Sequence, residues 1–330
     1  MAHRHAAAWE LATVVESIAI TRAVRRIVLG IPGTGDESRV LAGAHLDVAV
    51  PVRDGTMIRS YSIVDDGRHR AGISIAVRRA PDSRGGSAFM HGLRPGDDVR
   101  VSQPLQSFEL TSRRIPCALL AGGIGITPLI SMARVLRSRG QSYQLHYAGR
   151  TASDMPFRAE LEHDHPGCVH FYAGDLGQRV DADQFVKQLG PDTELYVCGP
   201  PGLLAAVTRA WAADGRRPGL LRFESFGSGG SLPAAPFEIR VPRLGIAAMV
   251  PADTTAAAAL QRAGGEVLTD CLRGECGLCV VPVLALDGRL DHRDVFLSQR
   301  QKNLDNAMAL CVSRVAGGSV CVDLPRRPAS

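Results

Sequence analysis

The chain has 330 residues, a formal net charge of +5, and a composition that is 45% hydrophobic and 22% charged. This length suffices for two or three domains, and the composition is typical of a globular protein. No block of like charges occurs, so a nucleic-acid-binding surface is not expected. The N-terminal residues lead into no apolar signal segment, and glycines interrupt the longest apolar run, residues 117–130. The sequence therefore predicts a cytoplasmic protein without a membrane-spanning helix.

The first region, residues 1–112, has the pattern of an all-β domain. Short runs rich in β-branched residues are separated by Gly, Asp and Pro turns; they occupy 11–18, 23–29, 48–52, 58–64, 72–78 and 97–102. Many short strands with such turns between them predict an antiparallel β-barrel.

Two segments of this region contain residues that could bind a ligand. The strand Arg59-Ser60-Tyr61-Ser62 offers a cation, an aromatic ring and hydroxyl groups, although such residues are also ordinary on an exposed strand. Arg84-Gly85-Gly86-Ser87 precedes a short helical stretch. Glycines that lead into a helix N-terminus favour anion binding, because free N–H groups converge there. A plain glycine turn is the alternative.

The second region, residues 113–227, alternates strands with helices. Strands are predicted at 116–121, 144–148, 169–172 and 194–198, and helices at 129–138, 157–163, 182–189 and 203–214. This alternation predicts an α/β domain with a parallel sheet covered by helices.

Two glycine-containing motifs follow strands of this sheet. Gly122-Gly123-Ile124-Gly125-Ile126-Thr127-Pro128 comes after the first strand, and Cys198-Gly199-Pro200 comes after the last. Pro128 is expected at the first helical position, where proline is favoured. Both motifs lie at the carboxyl ends of strands, where doubly wound sheets bind ligands, although Cys198 alone could be a core thiol. Arg150, after the second strand, could contact a nucleotide.

The third region holds a cysteine pattern. A linker is predicted at residues 228–236, followed by strands at 237–241 and 246–250, a helix at 255–263, and strands at 279–283 and 319–324, within a domain of residues 237–330. Cys271, Cys276 and Cys279 have Cys-x4-Cys-x2-Cys spacing, with Cys311 further on. This triplet plus one distant thiol matches the plant-type 2Fe–2S pattern. A zinc site is the alternative, although zinc ligands usually come as two close pairs.

In combination, these segments resemble the ferredoxin–NADP reductase superfamily, and their order resembles the phthalate dioxygenase reductase family. That resemblance implies a multidomain fold with a flavin-binding antiparallel β-barrel, an α/β nucleotide domain and a β-grasp ferredoxin domain. It implies FMN rather than FAD, with flavin contacts from Arg59, Tyr61, Ser62, Gly85, Gly86 and Ser87. It places Gly123, Gly125 and Thr127 at the pyrophosphate and flavin edge, Cys198, Gly199 and Pro200 beside the nicotinamide, and Arg150 on the adenosine side. Ser62, Thr127 and Phe226 would flank the site of hydride transfer.

The function implied by the resemblance is that of a reductase for a Rieske non-haem iron oxygenase. Electrons would pass from NADH, with NADPH as the alternative, through FMN to a cluster held by Cys271, Cys276, Cys279 and Cys311, and then singly to the oxygenase. A haem-thiolate monooxygenase as partner, a stand-alone NADH oxidase or ferric reductase, and a zinc-bearing module remain open. The rim formed by Leu272, Arg273 and Glu275 is predicted to contact the partner, and a monomer is compatible with this role.

Overall fold

The computed structural model describes residues 9–32, 41–52, 55–64, 72–81, 85–226, 232–270, 272, 274, 276–294, 296–297 and 299–324. It divides into two compact units, Met1–Glu224 and Ser225–Ser330. The predicted domain boundaries at 112, 227 and 236 stay predictions. Arg84, Cys271, Arg273 and Glu275 lie outside the described residues.

The first part of unit 1 is a seven-stranded antiparallel sheet. Its strands are β1 (Trp9–Ala19), β2 (Val24–Gly30), β3 (Ala44–Val52), β4 (Gly55–Ser62), β5 (Ile73–Arg78), β6 (Asp98–Ser102) and β7 (Leu105–Gln106). The strand order is β4-β3-β6-β1-β2-β5, with β7 on β3. An antiparallel bridge between Ile63 and Ile75 links the two ends of this order, as barrel closure requires. Helix α1 (Gly86–Gly92) lies between β5 and β6.

The alternating direction of side chains along each strand explains the barrel core. In β1, Ala12 and Val14 are buried while Leu11 and Val15 are exposed, because successive side chains of a strand point to opposite faces. The inward residues of the other strands join the same apolar cluster, which includes Ile27, Leu46 and Ile75.

The second part of unit 1 is a five-stranded sheet flanked by helices. Its elements are β8 (Cys117–Gly122), α2 (Ile126–Ser138), β9 (Tyr143–Gly149), α3 (Arg158–Asp164), β10 (Val169–Ala173), α4 (Ala182–Gln188), β11 (Glu194–Gly199), α5 (Pro201–Ala213) and β12 (Leu221–Ser225). The order is β10-β9-β8-β11-β12, and β10, β9, β8 and β11 run parallel.

One local expectation for this sheet was wrong. Pro128 is the third residue of α2, not the first, because the glycine segment Gly123–Gly125 already forms a turn of 3-10 helix and α2 begins at Ile126. Proline is still tolerated there, since the N–H groups of the first helical turn have no partner within the helix.

Unit 2 contains a mixed five-stranded sheet with order β14-β13-β17-β15-β16. Its elements are β13 (Phe237–Val241), β14 (Ile246–Val250), α6 (Ala256–Arg262), β15 (Val280–Asp291), α7 (Gln299–Lys302), β16 (Ala307–Ala309) and β17 (Arg314–Val322). The central pair β13 and β17 is parallel, whereas β14 pairs with β13, β15 with β17 and β16 with β15 in antiparallel orientation. The three-part fold class is thereby confirmed. Within the described ranges, no helix is long and apolar enough to cross a membrane.

Candidate cofactor sites

The first site lies where β4 faces the start of α1. A Cβ added at Gly86 would lie 3.2 Å from Arg59 Nε and 3.3 Å from its Cγ, so the guanidinium stem lies directly over the glycine turn. Gly85 has φ +104°, a conformation that favours glycine. The Ser87 hydroxyl accepts the Ala80 N–H at 3.0 Å and keeps its own proton to donate. A cation, a glycine turn and a hydroxyl donor fit a phosphate group.

Tyr61 and Ser62 continue the same strand. Burial raises the pKa of Tyr61 to about 12, although the charge of Arg59 opposes this shift, so the ring is held as a neutral phenol. Ser62 is buried and pairs across the sheet with His45 on β3. These positions agree with an aromatic and a hydroxyl group along a flavin, and that role stays a prediction.

The two nucleotide motifs meet through their backbones. A Cβ at Gly125 would lie 2.2 Å from the Cys198 carbonyl oxygen, and one at Gly199 would lie 3.0 Å from Gly122 Cα. A Cβ at Gly122 would lie 2.6 Å from Pro200 Cδ. Only glycine allows such close approach, so the two strand ends form one continuous backbone surface. The structure therefore brings together Gly125, Cys198, Gly199 and Pro200 as the pattern predicted.

Thr127 and Gly123 lie at the same strand ends. The buried Thr127 hydroxyl donates to the Ile124 carbonyl at 3.0 Å, so it first stabilises the turn. Gly123 has φ +57°, and a Cβ there would lie 3.8 Å from Nη1 of Arg78, a residue of β5. The barrel thus brings a cation to the glycine loop. The glycine loop and the start of α2, a 13-residue helix, suit a pyrophosphate.

The positions of Arg150 and Phe226 do not by themselves indicate a role in cofactor binding. Arg150 follows β9 with an exposed side chain, while its carbonyl accepts the Asp175 N–H at 2.9 Å. Phe226 is half-buried after β12, where unit 2 begins. Both roles stay predictions.

The cysteine site is formed by segments distant in sequence. Cys279 and Cys311 are buried, and their sulfur atoms are 3.0 Å apart, although 32 residues separate them. Cys276 is exposed, and Cys271 lies outside the described residues. Among the side chains that the structure describes, no group of three or more His, Cys, Asp or Glu is arranged to hold a metal ion. Two adjoining buried thiols, with an exposed one three residues before Cys279 in the sequence, fit a thiolate-bound cluster near the surface.

The backbone of the cysteine loop bends repeatedly. Leu272, Gly274 and Gly277 have φ of +54°, +76° and +76°. Left-handed residues turn successive N–H groups to one side, a geometry that suits anionic sulfide and thiolate atoms. A Cβ at Gly277 would lie 2.3 Å from the Phe296 ring, so this ring lies against the loop. Leu272, Leu278 and Phe296 are each exposed by about half, at 52%, 50% and 49%.

We expect Gly274→Ala to destroy the cysteine site. The added Cβ would lie 2.7 Å from Val312 Cγ2 and 2.8 Å from Asp294 Cα. In addition, the left-handed backbone conformation at this position costs alanine about 1–2 kcal/mol. Gly317→Ala is the matched control, because Gly317 has φ +77° and nothing within 4 Å of a Cβ. Iron content and melting temperature measure the difference: Gly317→Ala should lose stability alone, and equal iron in both variants would contradict the expectation.

Sequence reasoning missed several residues that line these sites. His45 lies opposite Ser62, Arg78 lies beside Gly123, and Asp294 lies beside Gly274. None belongs to a spaced motif. Only strand register and long-range packing bring them to the sites, so no local signal could have found them.

Comparison with known proteins agrees with a division into a barrel, an α/β domain and a cysteine-containing domain. Family models match in order: an oxidoreductase FAD-binding domain at residues 11–110, an oxidoreductase NAD-binding domain at 119–209, and a 2Fe-2S iron-sulfur cluster binding domain at 240–316. A vanillate O-demethylase oxidoreductase of Pseudomonas sp. is 36% identical, over 86% of this chain and 90% of that protein. The phthalate dioxygenase reductase of Burkholderia cepacia is 35% identical, over 86% of this chain and 87% of its own length.

A solved structure of phthalate dioxygenase reductase, described as modular for electron transfer from pyridine nucleotides to a 2Fe–2S centre, has a TM-score of 0.75 and 32% identity. The match covers 96% of this chain and 98% of that chain. Fold and domains thus define an NAD(P)H-dependent flavin and iron–sulfur oxidoreductase that transfers electrons. The chain belongs to the phthalate dioxygenase reductase family, whose members are reductase components of oxygenase systems.

Proposed function

We propose that this protein takes electrons from NADH and delivers them singly to a Rieske non-haem iron oxygenase, with FMN and a 2Fe–2S cluster as its redox groups. When bound, the flavin converts two-electron hydride chemistry into one-electron transfer, and the cluster carries single electrons. The supporting observation is that likeness to phthalate dioxygenase reductase extends over 96% of this chain. In addition, the 2Fe-2S domain model matches residues 240–316, which contain all four cysteines.

The chain's own residues would bind and orient these groups. Gly123, Gly125 and the start of α2 would hold the nucleotide pyrophosphate, and Cys198 and Pro200 would border the nicotinamide. Ser62 and Thr127 would fix the hydride-transfer edge of the flavin, with Phe226 covering it. Cys271, Cys276, Cys279 and Cys311 would hold the cluster. The rim formed by Leu272, Arg273 and Glu275 would face the oxygenase, and Leu272 is exposed by about half.

FMN is proposed over FAD because Arg84-Gly85-Gly86-Ser87 resembles the corresponding segment of the FMN-using branch of the superfamily. Arg59 lies over Gly86, and the Ser87 hydroxyl keeps a proton to donate, so this turn can hold a terminal phosphate. Charged hydrogen bonds to phosphate contribute about 1.5–3 kcal/mol each. Mass spectrometry of the flavin released on denaturation decides between FMN and FAD.

Arg59→Gln is expected to weaken FMN binding by about tenfold or more, since 1.4 kcal/mol corresponds to a factor of ten. Riboflavin, which lacks the phosphate, should bind both forms equally. Arg100→Gln is the control, because Arg100 is also an arginine of the barrel sheet but stacks over Trp9 at 5.9 Å. Fluorescence titration of the apoprotein measures the constants; an unchanged FMN constant for Arg59→Gln would refute the phosphate assignment.

NADH is proposed over NADPH because the family that the chain resembles mostly uses NADH. Arg150, which follows β9, could contact the adenosine side of either nucleotide, so it does not decide between NADH and NADPH. Comparing kcat/KM for the two nucleotides tests the choice, and a preference for NADPH would overturn it.

Anaerobic titration with NADH tests the function as a whole. The protein should show flavin and iron–sulfur absorption, and NADH should bleach both. A colourless protein that contains zinc, or a cluster that NADH leaves oxidised, would refute the proposal. Substrate turnover by a purified Rieske oxygenase should require this protein. If the protein sustains turnover only by a haem-thiolate monooxygenase, that enzyme class is the partner instead.

A further inference from the structure

Asp294 is a buried carboxylate that no cofactor motif accounts for. Its side chain has no exposed surface, and it follows β15 in the ferredoxin unit. Oδ2 accepts the Leu297 N–H at 2.8 Å, and the Ser313 hydroxyl donates to Oδ1 at 3.3 Å. Ser313 is two residues after Cys311. The carboxylate is therefore bonded to the segment that carries the distant cysteine.

The same residue also supports the three-cysteine loop. A Cβ at Gly274 would lie 2.8 Å from Asp294 Cα and 3.0 Å from Asp294 Cβ, which is closer than packing allows. Two residues later, the Phe296 N–H donates to the Gly274 carbonyl at 3.2 Å. The Gly274 peptide thus packs directly against Asp294 and Phe296. Asp294 therefore contacts both the cysteine loop and the residues after Cys311.

Basic side chains surround the carboxylate. Lys302 Nζ lies 3.7 Å from Oδ2, and His292 Nδ1 lies 3.7 Å from Oδ1. His292 Nε2 lies 3.0 Å from Asp305. Burial alone would raise the pKa of Asp294, but the nearby His292 ring, the hydrogen bond from the Leu297 amide and the charge of Lys302 hold this pKa below its ordinary value. Asp294 is therefore ionised, and burying an ion costs several kcal/mol unless it is paired in this way.

We propose that Asp294 is a positioning residue for the 2Fe–2S cluster, holding the Gly274 side of the cysteine loop and the Ser313 side of Cys311 at the separation that the ligands require. This inference rests on the proposed iron–sulfur function. Groups that orient metal ligands typically affect metal affinity or activity by about 10- to 100-fold, although they do not touch the metal. The negative charge of Asp294 also disfavours added electrons nearby.

The test compares Asp294→Ala, Asp294→Asn and Ser313→Ala in the full holoprotein. Asp294→Ala should lose its cluster to a chelator about tenfold faster or more. Asp294→Asn keeps the size of the side chain and one acceptor oxygen but not the charge, so it should hold the cluster longer than Asp294→Ala and have a more positive reduction potential. Ser313→Ala should shift the visible circular dichroism of the cluster; it should also lower the melting temperature, because the Ser313 hydroxyl accepts the Arg293 N–H at 3.2 Å as well.

Asp291→Asn is the matched control. Asp291 is equally buried at the end of β15, and it pairs with Arg293 Nε at 2.8 Å. It should lower the melting temperature but leave the cluster's dichroism and potential as in the wild type. Reduction of the flavin by NADH reports in every variant whether unit 1 remains intact.

The outcomes distinguish a failure of the proposed function from a failure of the positioning role of Asp294. A wild-type protein without a cluster refutes the proposed function. A wild-type cluster with Asp294→Asn and Ser313→Ala unchanged in dichroism, potential and chelation rate refutes the positioning role, even if Asp294→Ala fails to fold. Lower melting temperatures alone in these two variants would also refute it, because Asp294 would then stabilise only the fold.

Discussion

Replacing Cys311 by serine is expected to abolish delivery of electrons to one-electron acceptors while leaving flavin reduction by NADH intact. Cys311 is buried and its sulfur lies 3.0 Å from that of Cys279, so serine removes a proposed ligand from the interior of the site. Cytochrome c reduction should fall by at least about a hundredfold, since even residues that only support a metal ligand cost about 10- to 100-fold. Ferricyanide, which reduced flavin can reduce directly, should react at nearly the wild-type rate.

Cys321→Ser is the matched control for this experiment. Cys321 is a half-buried free thiol on β17 of the same unit, outside the four-cysteine pattern. It should keep wild-type iron content and cytochrome c reduction. Iron analysis and visible spectra accompany the rates. Wild-type iron content in Cys311→Ser would contradict the ligand assignment, and a parallel loss in Cys321→Ser would show that the unit tolerates no thiol replacement.

Gly125→Ala is expected to disable the nucleotide site. The added Cβ would lie 2.2 Å from the Cys198 carbonyl oxygen and 2.8 Å from the Gly199 nitrogen. These are backbone atoms, so no side-chain rotation relieves the clash and the two strand ends must separate. Overpacking costs about 1–3 kcal/mol, and misplacement by about 1 Å can cost about a hundredfold in rate. Stopped-flow reduction of the flavin by NADH should therefore slow about a hundredfold.

Gly202→Ala is the control for a methyl group added in the same domain. Gly202 lies in α5, and a Cβ there would have nothing within 4 Å. Alanine is favoured over glycine in helices by about 0.5–1 kcal/mol, so stability should be unchanged or slightly raised. A wild-type rate of flavin reduction in Gly125→Ala would show that the close approach to Cys198 is not needed for the reaction.

Much of the fold could be predicted because its patterns are local. The short β-branched runs between turns predicted the antiparallel barrel, and the strand–helix alternation after residue 113 predicted the parallel sheet. Boundaries shifted by a few residues where glycines joined helices, as at Gly123–Gly125. The short strand β16 and the edge strand β12 were missed, because neither has a pattern strong enough to identify a strand.

The sequence by itself determined the kinds of module and the chemistry of their motifs. Cysteine spacing is a local property of the chain, so it indicated a cluster before any packing was known. The tertiary structure alone decided which residues support those motifs: Arg78 beside Gly123, His45 opposite Ser62, and Asp294 against Gly274. These contacts join residues far apart in sequence, and they depend on strand register and chain crossing, which no local pattern encodes.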